Sequence, residues 1–271
     1  MLKKTIGILS FLFPNQMANY AYKKMSNPQI SKLRPHEIEC LDKSEKKRIT
    51  YNNFYIQTYT WKGGDKSVLA IHGWEGQAGN FSDLVYELLD NGYTVYAFDA
   101  PSHGFSSKQE TSVMDFTNCV ADVIRTLGVK NIVSHSFGGV ATTYALYQNQ
   151  DLKIDKYLLL TTPDKFGDRI NWISDHVGIS DKVKSIMINN IEKSTGLDVS
   201  TLNVSNFVKE INVKKAMIIH DKFDKVLPME ISKNVADNWD VCTFKEIEGT
   251  GHFRILRTPH VLDDIVSFLK N

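Results

Sequence analysis

Residues 130–141 read "KNIVSHSFGGVA" and set a serine between two apolar runs that call for different secondary structures. "NIVSH" has the short, β-branched character of a buried strand, whereas "FGGVATTYALYQ" has the length of a helix. Ser136 stands at their junction, followed at once by Gly138 and Gly139. A strand-to-helix junction must turn sharply, and small residues beside the turn let the two elements pack closely while the serine projects above a sheet. The next amide, that of Phe137, opens the helix, where N–H groups without intrahelical acceptors and the helix dipole favour developing negative charge. On this stretch alone two readings stand side by side: a nucleophile at an elbow, and a serine capping an ordinary helix.

Moving outward, short apolar runs recur along the chain. "RITYNNFYIQTYTW" gives two β-rich runs joined at Asn52 and Asn53, and "SVLAI", "TVYAF", "KNIVSH", "KYLLLTT", "KKAMIIH" and "VCTFKEI" follow. Runs of this kind are strands buried on both faces. Between them lie helix-length amphipathic segments at residues 80–91, 111–127, 137–148, 229–238 and 259–270, with two further helices expected near 15–25 and 35–45. Alternating strands and helices of these lengths predict an α/β fold, a mostly parallel sheet of eight-stranded type flanked by helices, with right-handed crossovers. About fifty residues separate the strand ending near Thr162 from the one starting near Lys214. This stretch, residues 163–213, has helical apolar spacing at Phe166, Ile170, Ile173 and Val177 and again at Val183, Ile186, Met187 and Ile191, and it reads as a helical insertion over the strand ends. The expected organisation is an N-terminal helical extension over 1–46 and one α/β domain over 47–271.

In parallel sheets ligands gather at the carboxyl ends of the strands, so the residues just beyond those ends carry the functional argument. "MIIHDKFDKVLP" puts Asp224 four residues after His220 in a loop closed by Pro228, and "EIEGTGHFRIL" puts His252 in a glycine-rich turn after the last strand. Serine is a weak nucleophile until a histidine takes its proton, and the histidine needs a carboxylate to fix its tautomer and support its charge. Ser136, Asp224 and His252 fill those roles in chain order. Asp164, directly after "LLLTTP", is the alternative acid. Asp221 is assigned to holding its own loop, Asp99 and His103 to local bonds within theirs, and His72 and His135 to structural roles.

Composition excludes other classes. The chain has 271 residues, 42% hydrophobic and 23% charged, with 32 Lys and Arg against 31 Asp and Glu, so a formal charge of +1 offers no footprint for nucleic acid. Its three cysteines are far apart and odd in number, which fits neither a disulfide framework nor a zinc site and points to a reducing, cytoplasmic compartment. The five histidines near the strand ends stand on different loops with no clustered carboxylates, so no metal is expected. No Gly-x-Gly-x-x-Gly follows the first parallel strand, so no dinucleotide or other cofactor is expected either. Lys3 and Lys4 before "TIGILSFLF" resemble the start of a signal peptide, but Pro14 and "NQMANYAYKKM" follow without a small-x-small cleavage site. A helix continuing into the folded protein is the preferred reading, with membrane association through the N-terminus as the minor one.

Taken together, "HGW", "DAPSHGFSS", "SHSFGG", "HDKFDKVLP" and "GTGH" resemble the α/β-hydrolase fold superfamily from about Lys47 to the C-terminus. The resemblance implies a serine hydrolase of carboxylesterase type that acts on an ester or thioester acyl substrate, with an oxyanion hole formed by the amides of Trp74 and Phe137. It also implies that residues 163–213 are the lid. The family's elbow usually reads Gly-x-Ser-x-Gly, and here Ser134 holds the first position. A serine nucleophile favours acyl chemistry, since members of this fold that attack alkyl centres use Asp. A ligand-binding protein without turnover and an acyltransferase are the alternatives on the same fold.

Overall fold

The computed structural model describes residues 2–271, without the side chains of residues 2–4, 169, 172–173 and 194–195. Ile173, expected in the apolar stripe of the insertion, therefore has a side chain outside the described residues. Three helices lead, α1 (Leu2–Leu12), α2 (Pro14–Met25) and α3 (Pro35–Asp42), followed by the hairpin β1 (Glu45–Tyr51) and β2 (Phe54–Trp61). Then come β3 (Lys66–Ile71), α4 (Ser82–Asp90), β4 (Tyr93–Phe98), α5 (Val113–Leu127), β5 (Asn131–His135), α6 (Phe137–Gln148) and β6 (Ile154–Leu160). The stretch after β6 holds α7 (Phe166–Val177), α8 (Asp181–Thr195) and the short α9 (Val204–Phe207). The chain closes with β7 (Val213–Asp221), α10 (Met229–Asp237), β8 (Cys242–Ile247), α11 (Gly251–Arg254) and α12 (Pro259–Lys270).

All eight expected strands form one sheet, in the order β1-β2-β4-β3-β5-β6-β7-β8. Pairing is antiparallel at β1/β2 and β2/β4 and parallel from β4/β3 to β8. Tyr51 pairs with Phe54 across the hairpin, and Asn52 takes the left-handed φ of 47° that asparagine tolerates better than most residues. The expected helix over 80–91 begins instead with a 3₁₀ turn at Ala78–Phe81, and the one over 35–45 stops at Asp42, where β1 takes over.

The period of two in β3 shows why the sheet is covered on both faces. Val68 and Ala70 join Leu84 and Leu88 of α4 and Val261 and Ile265 of α12 in one core. Leu69 and Ile71 join Phe116 and Val120 of α5 and Ala141 and Ala145 of α6 in the other. Because β4 lies on one side of β3 and β5 on the other, the loops leaving β3 and β5 turn to opposite faces. Such a switch point opens a crevice above the strand ends.

By packing, the chain divides into two compact units, residues 1–28 with 165–203 and residues 29–164 with 204–271. In the first, Ala18 of α2 packs against Val183 and Met187 of α8, and Ile170, Ile191 and Val199 form a second small cluster. The expected N-terminal extension is thus shared, with α3 contributing Cys40 and Leu41 to the core of the second unit. Among the described residues no helix is long and apolar enough to cross a membrane.

Candidate active site

The junction after β5 is a strained elbow. Ser136 takes φ 52° and ψ −124°, a conformation that costs a non-glycine residue about 1–3 kcal/mol and persists only where its surroundings enforce it. The enforcement is visible: the Ser136 N–H donates to Leu160 O at 2.9 Å, and the Gly139 N–H donates to Ser136 O at 2.9 Å. Gly138 allows α6 to leave so steeply, because a Cβ there would stand 2.5 Å from His72 O and 2.6 Å from Ile71 O. The Ser136 side chain makes no capping bond to α6. Its hydroxyl meets His252 instead.

His252 is delivered by a turn with two left-handed glycines, Gly249 at φ 86° and Gly251 at φ 63°. Its Nδ1 lies 2.7 Å from Asp224 Oδ2 and its Nε2 lies 3.1 Å from Ser136 Oγ. A carboxylate only accepts, so Nδ1 carries the proton and Nε2 is left bare toward the serine hydroxyl, which donates to it. The other Asp224 oxygen accepts the N–H groups of Val226 at 2.7 Å and Leu227 at 3.0 Å. Burial pushes this carboxyl upward, but the contacts with His220 and His252 and the Leu227 amide outweigh it and hold the acid well below the usual carboxylate range. Asp224 therefore stays an anion behind the imidazole.

Behind the acid lies a second imidazole, His220, to which the sequence reading assigned no part in the site. His220 Nε2 is 3.0 Å from Leu227 O and 3.5 Å from Asp224 Oδ2, and its Nδ1 is 2.7 Å from Ser232 Oγ. Ser232 in turn donates to Thr162 O at 2.7 Å. This buried line fixes the loop that carries Asp224 to the end of β6.

Phe137 is the first residue of α6, so its N–H has no carbonyl one turn back. The loop holding Trp74 is pressed against it at Gly73, where a Cβ would lie 3.2 Å from Ser136 Cβ and 3.5 Å from Phe137 N. The two aromatic rings meet edge to face at 5.6 Å, and both lie against Phe116. The site is thus walled by apolar rings on the β3 side.

The remaining polar residues at the strand ends are held in place by the backbone. His72 Nδ1–H donates to Gly73 O at 2.7 Å and its Nε2 accepts the Ala100 N–H at 3.0 Å. His103 Nδ1–H donates to Pro101 O at 2.9 Å and its Nε2 accepts the Glu75 N–H at 3.2 Å. The carboxylate of Asp99 accepts from Ala78 N–H, Phe105 N–H and Tyr59 O–H at 2.7–2.8 Å, and Gly104 is required beside it because a Cβ would meet that carboxylate at 2.1 Å. Asp164 accepts from the Ser205 N–H and from Asn234 at 2.8 and 2.7 Å. The alternative acid is thereby engaged elsewhere, and Nδ1 of His252 faces Asp224.

Two residues reach further than their expected roles. Asp221 does cap its own loop through Phe223 N–H, but its other oxygen also accepts Thr250 N–H, Thr250 O–H and Gly251 N–H, which ties the β7 end to the turn bearing His252. His135 donates Nε2–H to His252 O at 2.8 Å, and burial, with the neighbouring His252 ring adding to it, pushes its imidazole down to about 3. The signal for His135 was its place next to Ser136, but no spacing rule says which main-chain oxygen an imidazole will find. Among the described residues no group of three or more His, Cys, Asp and Glu side chains is arranged to hold a metal ion.

Residues 66–186 match the family model described as the alpha/beta hydrolase fold. The chain has the alpha/beta hydrolase fold. The uncharacterised hydrolase YugF of Bacillus subtilis is 23% identical over 267 residues, covering 80% of this chain and 94% of that protein. The dihydrolipoyllysine-residue acetyltransferase component of the acetoin cleaving system of Cupriavidus necator is 35% identical over 114 residues. That match covers 40% of this chain and only 29% of the acetyltransferase component. Among solved structures, an esterase from Exiguobacterium antarcticum superposes with a TM-score of 0.67 at 16% identity, covering 84% of this chain and all of the esterase. At that identity the likeness is one of fold.

Proposed function

We propose that this α/β-hydrolase is a serine hydrolase that cleaves a carboxylic ester or thioester through an acyl-enzyme. What carries the reading is one unbroken line of contacts, Ser136 Oγ to His252 Nε2 at 3.1 Å and His252 Nδ1 to Asp224 Oδ2 at 2.7 Å. In the reaction Nε2 takes the hydroxyl proton as Oγ attacks the carbonyl carbon. The carbonyl oxygen becomes an oxyanion that accepts the N–H groups of Trp74 and Phe137. As the tetrahedral adduct collapses, the bond to the alcohol or thiol breaks, and the imidazolium returns its proton to that leaving group. Water, deprotonated by the same Nε2, then attacks the acyl-enzyme and releases the acid. Asp224 remains ionised throughout and supports the imidazolium charge.

The rings of Trp74 and Phe137, with the exposed Phe253 5.0 Å from the His252 ring, favour an apolar acyl or alcohol group. Ser136→Ala is expected to abolish labelling by a fluorophosphonate probe and to cut turnover of short p-nitrophenyl esters by roughly 10³-fold or more. Its thermal midpoint should stay close to that of the parent. Persistent labelling of the variant overturns the assignment of the nucleophile. Tight ligand binding by the parent without turnover across the ester panel selects the receptor reading, and product partitioning to an added alcohol or thiol selects an acyltransferase.

A further inference from the structure

The N-terminal helix α1 is built inside out. Its inward positions are small, since Ser10 is fully buried and a Cβ on Gly7 would lie 3.7 Å from Gly178 O. Its large apolar residues face away from the protein: Ile8 is 61% exposed, Phe11 81% and Leu12 58%, and Phe13 just beyond the helix is 49% exposed. A helix that packs on a water-soluble body places those two sets the other way round. Scattered exposed apolar side chains need no explanation, but Ile8, Leu9, Phe11, Leu12 and Phe13 are five within six consecutive residues and form a patch that marks a binding surface.

The charge around the patch says what covers it. Residues 1–36 contain no Asp or Glu, while Lys3, Lys4, Lys23 and Lys24 lie within the first 28. The chain as a whole is near neutral at +1, so the rest of it is net negative and the cations are concentrated at this end. Lys23 and Lys24 are exposed in the last turn of α2, where Tyr20, 57% exposed, stands beside Lys24. A leading segment that joins an apolar face to lysines and carries no acid of its own is complementary to an apolar phase with an anionic rim. A protein surface would supply the apolar area but gives no reason for the first 36 residues to carry lysines and no carboxylate.

We propose that α1 docks residues 1–28 on an anionic bilayer surface, with Ile8, Phe11, Leu12 and Phe13 inserted among the acyl chains and Lys23 and Lys24 at the headgroups. The helix lies in the interface and does not cross it, since its 11 residues span about 16 Å against about 30 Å of hydrocarbon. Apolar insertion and electrostatic attraction act together in such helices, so the interaction is reversible and weakens with salt. Docking through α1 does not depend on the chemistry of Ser136.

The full chain is mixed with vesicles of phosphatidylcholine alone or with about one third phosphatidylglycerol, and the bound fraction is read by flotation. Binding to the anionic vesicles is expected, several-fold weaker on phosphatidylcholine alone and weaker again in high salt. The double variant Phe11→Ser with Leu12→Ser should lose roughly 10-fold or more in partitioning while keeping the parent melting midpoint, because both side chains face outward. Lys23→Gln with Lys24→Gln, which leaves the apolar face intact, should remove most of the preference for phosphatidylglycerol. Failure of the parent chain to float with anionic vesicles, or equal partitioning of parent and Phe11/Leu12 variant, overturns the proposal. So does a dimer in light scattering that the same variant turns into monomer without any vesicle binding, since a second copy would then be the occupant.

Discussion

The two ends of the crevice are furnished with the same side chains and use them in opposite ways. On the β3–β4 side, His72, His103 and Asp99 are all buried, and almost every polar atom meets the main chain: four of the four imidazole nitrogens and two of the three donors to the carboxylate are backbone groups. On the β7–β8 side, Asp224 gives one oxygen to the backbone and the other to His252, whose two nitrogens meet a carboxylate and a hydroxyl. An imidazole bonded at both nitrogens by main chain is a strut that holds a loop. An imidazole between an acid and a hydroxyl can pass a proton, because its bare Nε2 faces a proton that can be taken while the carboxylate holds Nδ1–H and supports the positive charge. Residue type alone does not separate the two ends; the partner of each nitrogen does.

The sharpest break of that comparison removes one carboxylate from each end. Asp224→Asn should lower kcat/KM for a p-nitrophenyl ester by about 10³–10⁴-fold with a modest change in stability, since the amide can still accept the loop N–H groups but no longer fixes the productive tautomer. Asp99→Asn should do the reverse, leaving turnover per folded molecule within a few-fold while costing about 2–4 kcal/mol of stability in urea unfolding, as buried donors lose a charged acceptor. Comparable activity losses in the two variants would mean that the ends are not functionally distinct.

The structural end should also reveal itself through pH. Burial, with the neighbouring His72 ring adding to it, pushes the His103 imidazole down to about 2, while its bond to Pro101 O works the other way. Unfolded, the same ring titrates near 6.5. The unfolded chain therefore binds the extra proton at every pH between those values, so the contribution of a neutral buried His103 is complete above about pH 7 and is lost progressively as the pH falls below 6.5. His135 behaves in the same sense, with its ring held down to about 3. Between pH 7 and 5 each ring should remove about 1–2 kcal/mol of stability, and His103→Gln should flatten the slope by up to about 1.4 kcal/mol per pH unit. An unchanged slope in that variant would show that His103 is already protonated in the folded protein.

What could be read from the sequence follows the same division. The strands were legible because each is a short apolar run between turn residues, and parallel pairing then brings Ser136, Asp224 and His252 to one rim. Asp224 was separable from Asp164 by its loop and Pro228, and the structure brings Asp224 to the imidazole while Asp164 accepts from Ser205 and Asn234. The bond from His135 to the His252 carbonyl was not legible, nor was the line from Asp224 through His220 to Ser232, because both depend on loop paths that no local pattern specifies. The pairing of α2 with α8 was also hidden, since residues so far apart in sequence share only apolar stripes of ordinary spacing.

The smallest expected effect concerns Ser134, where the elbow departs from the glycine usual in the family that the chain resembles. Its position is not among those of left-handed φ, so a side chain there meets no backbone strain, and the whole residue is buried. Its hydroxyl donates to the Tyr157 hydroxyl at 3.3 Å, and that phenol donates to Gly139 O at 3.0 Å, under the first turn of α6. Burial pushes the phenol up to about 12, so Tyr157 keeps its proton and the donor that the Gly139 carbonyl accepts. Ser134 is thus a polar brace beneath the elbow, standing where a glycine would leave space. Ser134→Gly removes one weak hydrogen bond and adds backbone freedom within β5, which together should cost about 1–2 kcal/mol in unfolding. Ester turnover should stay within about threefold, because neither Ser136 nor the Phe137 amide contacts the removed hydroxyl. A tenfold gain in turnover on restoring glycine would mean that the serine holds the elbow away from its working geometry, and that the brace acts on the chemistry as well as on the fold.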